Sequence, residues 1–184
     1  MVDLEAKRRL VGEVASSMAS RGFANHDPYW YFSTDETIAA LIIENYQSSY
    51  LFYISLGVYA VGLSAKGTRK PKLRQMHAWC RLNQLTPVTS RPQIALKGDG
   101  SEDTNKMIDE VLAAIRTVAF EVLDELSSLD GTKRVLEKYG ENRWQITPLL
   151  REKLYGSSSV RIRGTLRLRD WEIAGSVNPY HQNR

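Results

Sequence analysis

A single cysteine, Cys80, in 184 residues excludes an intrachain disulfide. No apolar stretch reaches the roughly 20 residues needed to cross a bilayer. At the N-terminus Leu10-Val11 gives way at once to Gly12, Glu13 and small polar residues, so the start does not read as a secretory signal. These absences set the expectation of a soluble cytoplasmic protein without membrane association. Histidine is equally sparse: His26, His77 and His181 stand far apart, and no two lie at metal-ligand spacing beside a cysteine or carboxylate. No metal or other cofactor is expected. A phosphate-binding loop is also lacking, since Gly98-Asp99-Gly100-Ser101 has neither the lysine nor the preceding strand that such a loop needs. Cys80 lies three residues from His77, which on a strand places the two on opposite faces and rules out a Cys-His dyad between them. Cys80 then reads as a small buried apolar side chain. The acidic pairs Glu102-Asp103, Asp109-Glu110 and Asp124-Glu125 read as the dipole complement and solvated face of a helix.

Charge of one sign does not dominate. The net charge of +4 and a pI near 9.2 permit nucleic acid or acidic partners without arguing for either. The length suits a substantial core with an appendage, here expected as a core domain over 1–130 and an extension over 131–184.

What is present is concentrated in Ile38 to Leu63, the most apolar and β-prone stretch of the chain. Two runs, Ile38 to Gln47 and Tyr50 to Val61, are separated by Gln47-Ser48-Ser49 and predict a hairpin. Alternation in the second run places Phe52, Ile54, Leu56 and Val58 on one face, toward helices, and Tyr53, Ser55, Gly57 and Tyr59 on the other. Gly57 signals a bulge or a close backbone approach. Before the hairpin, Asp3 to Arg21 has an amphipathic stripe, Gly22 suits a left-handed C-cap, Asn25 to Pro28 is a turn, and Tyr29 to Ser33 is a short aromatic strand. After it comes a basic loop, Ser64 to Lys72, and then a strand from Met76 to Leu82. Its alternation sends Met76, Ala78, Cys80 and Leu82 one way and His77, Trp79 and Arg81 the other. Gln93 to Leu96 reads as a short edge strand, and Asp103 to Leu129 as a long helix capped by Ser101 and ended by Asp130-Gly131. Thr132 to Gly140 and Thr147 to Gly156 read as short helices, and Val160 to Arg169 as a strand. The expected fold is α+β: a four- to five-stranded antiparallel sheet, two long helices on one face, and a C-terminal helix-helix-strand extension.

Gly22-Phe23, Tyr29-Trp30-Tyr31, Gln47-Ser48, the strand Phe52-Tyr53-Ile54-Ser55-Leu56-Gly57-Val58-Tyr59, and His77 to Arg81-Leu82 together resemble a mostly bacterial family known as a domain of unknown function. The family pattern carries a Phe-Tyr-Ile-Asn-Leu-Gly-Val-Tyr strand, so Ser55 stands where an asparagine recurs. The resemblance runs best from Gly22 to Leu82, with the helix from Asp103 fitting its end, and it implies the fold but no reaction.

Two surfaces have functional potential. The first is the mixed sheet face, where Tyr53, Ser55 and Tyr59 would be joined by His77, Trp79 and Arg81 and, if the register allows, by Asn45 and Gln47. Aromatics beside arginine and amides suit a protein edge, a base or a small polar ligand. Alternatively the C-terminal segment covers this face as a second small core. The second surface is the ladder Arg161, Arg163, Arg167 and Arg169, whose same-face spacing of roughly 6.5–7 Å is comparable with phosphate spacing. The expected function is a non-catalytic interaction module with a protein partner, immunity- or antitoxin-like by analogy. Nucleic-acid binding through the ladder is the alternative, and an enzyme using His77 as base beside Arg81 the third.

Overall fold

The computed structural model describes residues 4–45, 51–64, 67–86, 94–95 and 102–156. Helix α1 (Leu4–Ser20) leads to strands β1 (Ala24–His26), β2 (Tyr29–Ser33), β3 (Thr37–Asn45), β4 (Leu51–Ala60), β5 (Ala78–Arg81) and β6 (Ile94–Ala95). Helices α2 (Glu102–Ala114), α3 (Phe120–Glu125) and α4 (Leu129–Tyr139) follow, then strand β7 (Gln145–Ile146) and helix α5 (Pro148–Tyr155). The fold is α+β, with an antiparallel sheet in the order β1-β2-β3-β4-β5-β7 and β6 paired to the start of β4. The six-strand row exceeds the expected four or five because β1 and β7 are three and two residues long, too short to show a period. Ala24 to His26 pairs with Tyr29 to Tyr31, so Asn25 and His26 of the expected turn Asn25 to Pro28 belong to a strand.

The alternation in β4 works as its side chains require. Phe52, Ile54, Leu56 and Val58 are buried with Leu10, Val14 and Met18 of α1 and Ile108, Leu112 and Ile115 from the long helical stretch. Burying each such aliphatic side chain contributes about 1.5–3 kcal/mol, so this layer is the main source of stability. Cys80 is fully buried in the same layer, on the face opposite His77. Gly22, at φ +81°, ends α1: the Phe23 N–H donates to Met18 O at 3.0 Å and the Gly22 N–H to Ala19 O at 3.0 Å, the paired bonds of a Schellman cap.

The long helix is interrupted. Ile115–Ala119 forms a π turn between α2 and α3, and the chain breaks at Leu126 to Ser128. Asp130-Gly131 is no stop signal. The Ser128 hydroxyl accepts the Gly131 N–H at 3.0 Å and caps α4, which therefore starts three residues before the expected Thr132. Gly131 serves close packing rather than a turn, because a Cβ there would lie 2.0 Å from Glu125 O. Helix α5 follows the expected pattern, with the Thr147 hydroxyl as cap and Pro148 in the first turn. Val135, Leu136, Trp144 and Leu150 join the same core as the sheet. Ser101 and Val160 to Arg169 lie outside the described residues.

The helical side is laced with ion pairs: Arg9 with Glu13 and Asp109, Arg116 with Glu13, Arg21 with Asp124, Arg134 with Glu125, and Lys138 with Glu121. Exposed pairs of this kind contribute little stability each. Their effect is to neutralise that surface.

Candidate functional site

The site lies on the sheet face turned away from α1 and α2. Cross-strand pairing sets Tyr29 beside Ile42, Ile42 beside Ser55, and Ser55 beside Arg81, and the next row runs Tyr31, Ala40, Gly57, Trp79. His77, Trp79 and Arg81 thus join Tyr53, Ser55 and Tyr59 as their alternation requires. Asn45 does not join them. It pairs with Phe52, and Glu44 pairs with Tyr53, so the place beside Tyr53 belongs to a carboxylate. Gln47 and the ladder Arg161, Arg163, Arg167 and Arg169 lie outside the described residues.

Much of this face is closed. Tyr31, Ile38, Ala40, Ile42, Tyr59 and Met76 form a second small core, with Tyr29, Leu73 and Trp79 packed against it. Its cover comes from the segment after β4, where the Tyr31 hydroxyl donates to Pro71 O at 3.0 Å. Burial pushes the Tyr31 phenol up to about 12, with Tyr29 stacked on it at 5.6 Å adding to the shift. Met76, expected to share a face with Ala78 and Cys80, instead caps the turn Leu73–Gln75 and folds over Gly57. A Cβ at Gly57 would come within 3.0 Å of Met76 Cγ, which explains the glycine as a close approach rather than a bulge.

His77 is 3% exposed and held on every side. Its Nδ1 accepts the Ala60 N–H at 2.9 Å, Nε2 lies 2.9 Å from Ser64 Oγ, and the ring stacks on Tyr59 at 4.6 Å. Because a backbone N–H can only donate, Nδ1 carries no proton, and the neutral ring donates from Nε2 to the serine. Burial holds its pKa below the ordinary value of 6.5. Neither ring nitrogen is left to serve as a base. Ser55 Oγ is fully buried and has no hydrogen-bond partner among the described residues.

Arg81 lies over the Tyr53 ring, 3.6 Å from its centroid. Glu44 is half-buried, and burial raises its pKa while the Arg81 charge opposes the shift. Beside it opens a cleft of about 440 Å³, walled by Tyr29, Glu44, Met76 and Trp79 from the sheet side, Lys72, Leu73 and Arg74 from the covering segment, and Gln145 to Pro148 from β7 and α5. β7 is anchored here by pairing with Ala78 and Trp79 and by the Thr147 N–H donating to His77 O at 2.8 Å. Tyr29 and Glu44 also border a second cleft of about 450 Å³ toward Lys7 and Phe52. Sequence reasoning missed Glu44, although it is the one charged residue between Ile38 and Leu63. That isolation was the available signal.

Cys80 has no part in the site. Burial pushes its thiol pKa well up, so it is expected to resist a thiol-specific disulfide reagent in the native protein and to react fully once urea unfolds the chain. Rapid reaction without denaturant would contradict this placement.

Residues 14–125 match the family model described as "Domain of unknown function (DUF4304)". No curated protein and no solved structure matches the chain.

Proposed function

The chain belongs to the DUF4304 family, a domain of unknown function, and from that premise we propose that it is a non-catalytic interaction module seating part of a protein partner in the cleft beside Tyr29, Glu44 and Trp79. The observation that carries this reading is the cleft's make-up. Half-buried Tyr29 and Trp79 line a concavity together with Met76, which is itself buried in the second small core. Aromatic anchors on a rigid base are the usual source of affinity in protein interfaces. The groups that a reaction would recruit are engaged elsewhere: both His77 nitrogens are bonded, and Cys80 faces the helices. An immunity- or antitoxin-like partner, suggested by analogy alone, falls to the same test.

That test is site-directed photo-cross-linking in a lysate of the source organism. A benzophenone side chain in place of Arg74, on the cleft wall, is expected to give a discrete adduct. The same group in place of Lys106, exposed on α2, should give none. Trp79→Ala should weaken capture about tenfold or more, as loss of a central aromatic anchor does. Equal adducts from both positions, or an adduct indifferent to Trp79→Ala, would sink the proposal.

A further inference from the structure

Positive charge is dispersed on the helical side and clustered on the segment that covers the sheet, although the helices too carry exposed cations without an ion pair among the described residues, Arg8 and Lys106. On the helical side, arginines 9, 21, 116 and 134 and Lys138 each meet a carboxylate. On the covering segment Arg69, Lys70, Lys72 and Arg74 are all exposed, and none has an ion-pair partner among the described residues. Lys72 and Arg74 line the cleft itself. Four cations in a six-residue stretch, without a carboxylate partner among the described residues, raise a local positive potential that favours an anionic ligand.

The rest of the lining narrows the kind of ligand. Leu73, Met76, Ile146 and Pro148 make an aliphatic trough with Trp79 as its aromatic wall, dimensions and chemistry suited to one large apolar side chain. Glu44, half-buried beside the same trough, is a carboxylate that repels phosphates and a second acid while accepting main-chain N–H groups or a cation. A polynucleotide would have to carry its phosphates past that carboxylate and set bases against aliphatic side chains. A polypeptide can set an apolar side chain in the trough and keep its acidic residues away from Glu44, which a continuous phosphate backbone cannot do.

Resting on the reading of this cleft as a protein-docking site, we infer that its occupant is an acidic segment of a partner protein: an apolar side chain enters the trough between Leu73, Met76 and Trp79, and flanking Asp or Glu residues face Arg69, Lys70, Lys72 and Arg74. Glu44 sets direction. It excludes acid from its end of the trough, so the partner's carboxylates gather at the end nearer Lys72 and Arg74.

The experiment is selection of a random-sequence peptide library displayed on phage against the whole protein, with counter-selection against a Lys72→Glu/Arg74→Glu variant whose fold is checked by circular dichroism. Enriched peptides are expected to carry an apolar anchor with clustered Asp and Glu. As synthetic labelled peptides they should bind about tenfold more weakly to the double variant, and about tenfold more weakly to the native protein when their acids are changed to amides. Enriched peptides with no acidic bias, still dependent on Trp79, would overturn the acidic-segment inference and leave the docking site standing. No enrichment at all would overturn both. A labelled oligothymidylate is run in parallel: binding at physiological salt that the double variant loses, without peptide enrichment, would reassign the cations to nucleic acid.

Discussion

Replacing Gly131 with alanine will cost the protein about 3 kcal/mol or more, the largest loss expected from adding one methyl group anywhere among the described residues. The new Cβ would stand 2.0 Å from Glu125 O, 2.8 Å from Glu125 C and 2.9 Å from Glu125 Oε2. The first two are backbone atoms at the end of α3 and have nowhere to go, since Leu126 and Thr132 on either side are fully buried. The junction is also clamped from the sheet: the Thr37 hydroxyl donates to Leu126 O at 2.8 Å, the Thr34 hydroxyl to Ser127 O at 2.9 Å, and Glu36 accepts the Leu129 N–H at 3.0 Å. Relief of the clash requires α4 to lift, which pulls Val135 and Leu136 from the core. Gly12→Ala is the matched control. Gly12 sits exposed within α1 with nothing within 4 Å of its would-be Cβ, so alanine there should stabilise by about 0.5–1 kcal/mol. Urea unfolding of the two variants beside the parent decides it. A Gly131→Ala protein within 1 kcal/mol of the parent, as an estimate of experimental significance, would show that the α3–α4 contact is not as tight as described.

The second large effect belongs to His77. Substitution by phenylalanine should cost about 2–3 kcal/mol at pH 8, because it strips the Ala60 N–H of its acceptor inside the sheet and the Ser64 hydroxyl of its partner. The pH dependence has a definite sign. Burial lowers the native pKa below 6.5, so under more acidic conditions the unfolded chain binds a proton that the native chain refuses. The stabilising contribution is complete above about pH 6.5, declines as pH falls from there toward the depressed native value, and levels off below it. The slope in that window is at most about 1.4 kcal/mol per pH unit. Glu44, whose pKa is raised, contributes with the opposite sign as pH falls, and so the measurement is the difference between parent and His77→Phe at each pH. A difference that stays constant from pH 8 to pH 5, a range set by the ordinary histidine titration, would mean that His77 titrates freely and that the bond to Ala60 is not maintained.

The α+β class, the helix-facing layer of β4, the Gly22 cap and the shared face of Tyr53, Ser55, Tyr59, His77, Trp79 and Arg81 were all legible in the sequence. Each rests on a short-range period or a local backbone need. Errors fell where a residue serves a distant contact. Gly131 has the look of a helix stop, yet its smallness answers to Glu125 across a helix crossing. Met76 fits the alternation of β5 but belongs to the segment that folds over Gly57. A one-residue difference in register exchanged Asn45 for Glu44, because the side-chain period of a strand is two and every slip changes face. The closure of the mixed face depends on the path of a loop between Ala60 and His77, and loop paths leave no periodic trace. Glu44 was a different kind of miss, since a lone carboxylate in an apolar strand is visible without any structure.

Strand β7 bears on how the chain is made. It closes on β5 across the whole span from Ala78 to Ile146, by way of helices α2, α3 and α4 and the short turn Glu141–Arg143. During vectorial synthesis the outer edge of β5, with Trp79 beside it, therefore waits as an unpaired template until Thr147 has emerged and donated to His77 O. A nascent chain stalled between α4 and β7 would present both an open strand edge and an unfinished binding wall. Among the described residues the cleft is thus completed late, and a chaperone or a ribosome pause has a long opportunity to act there.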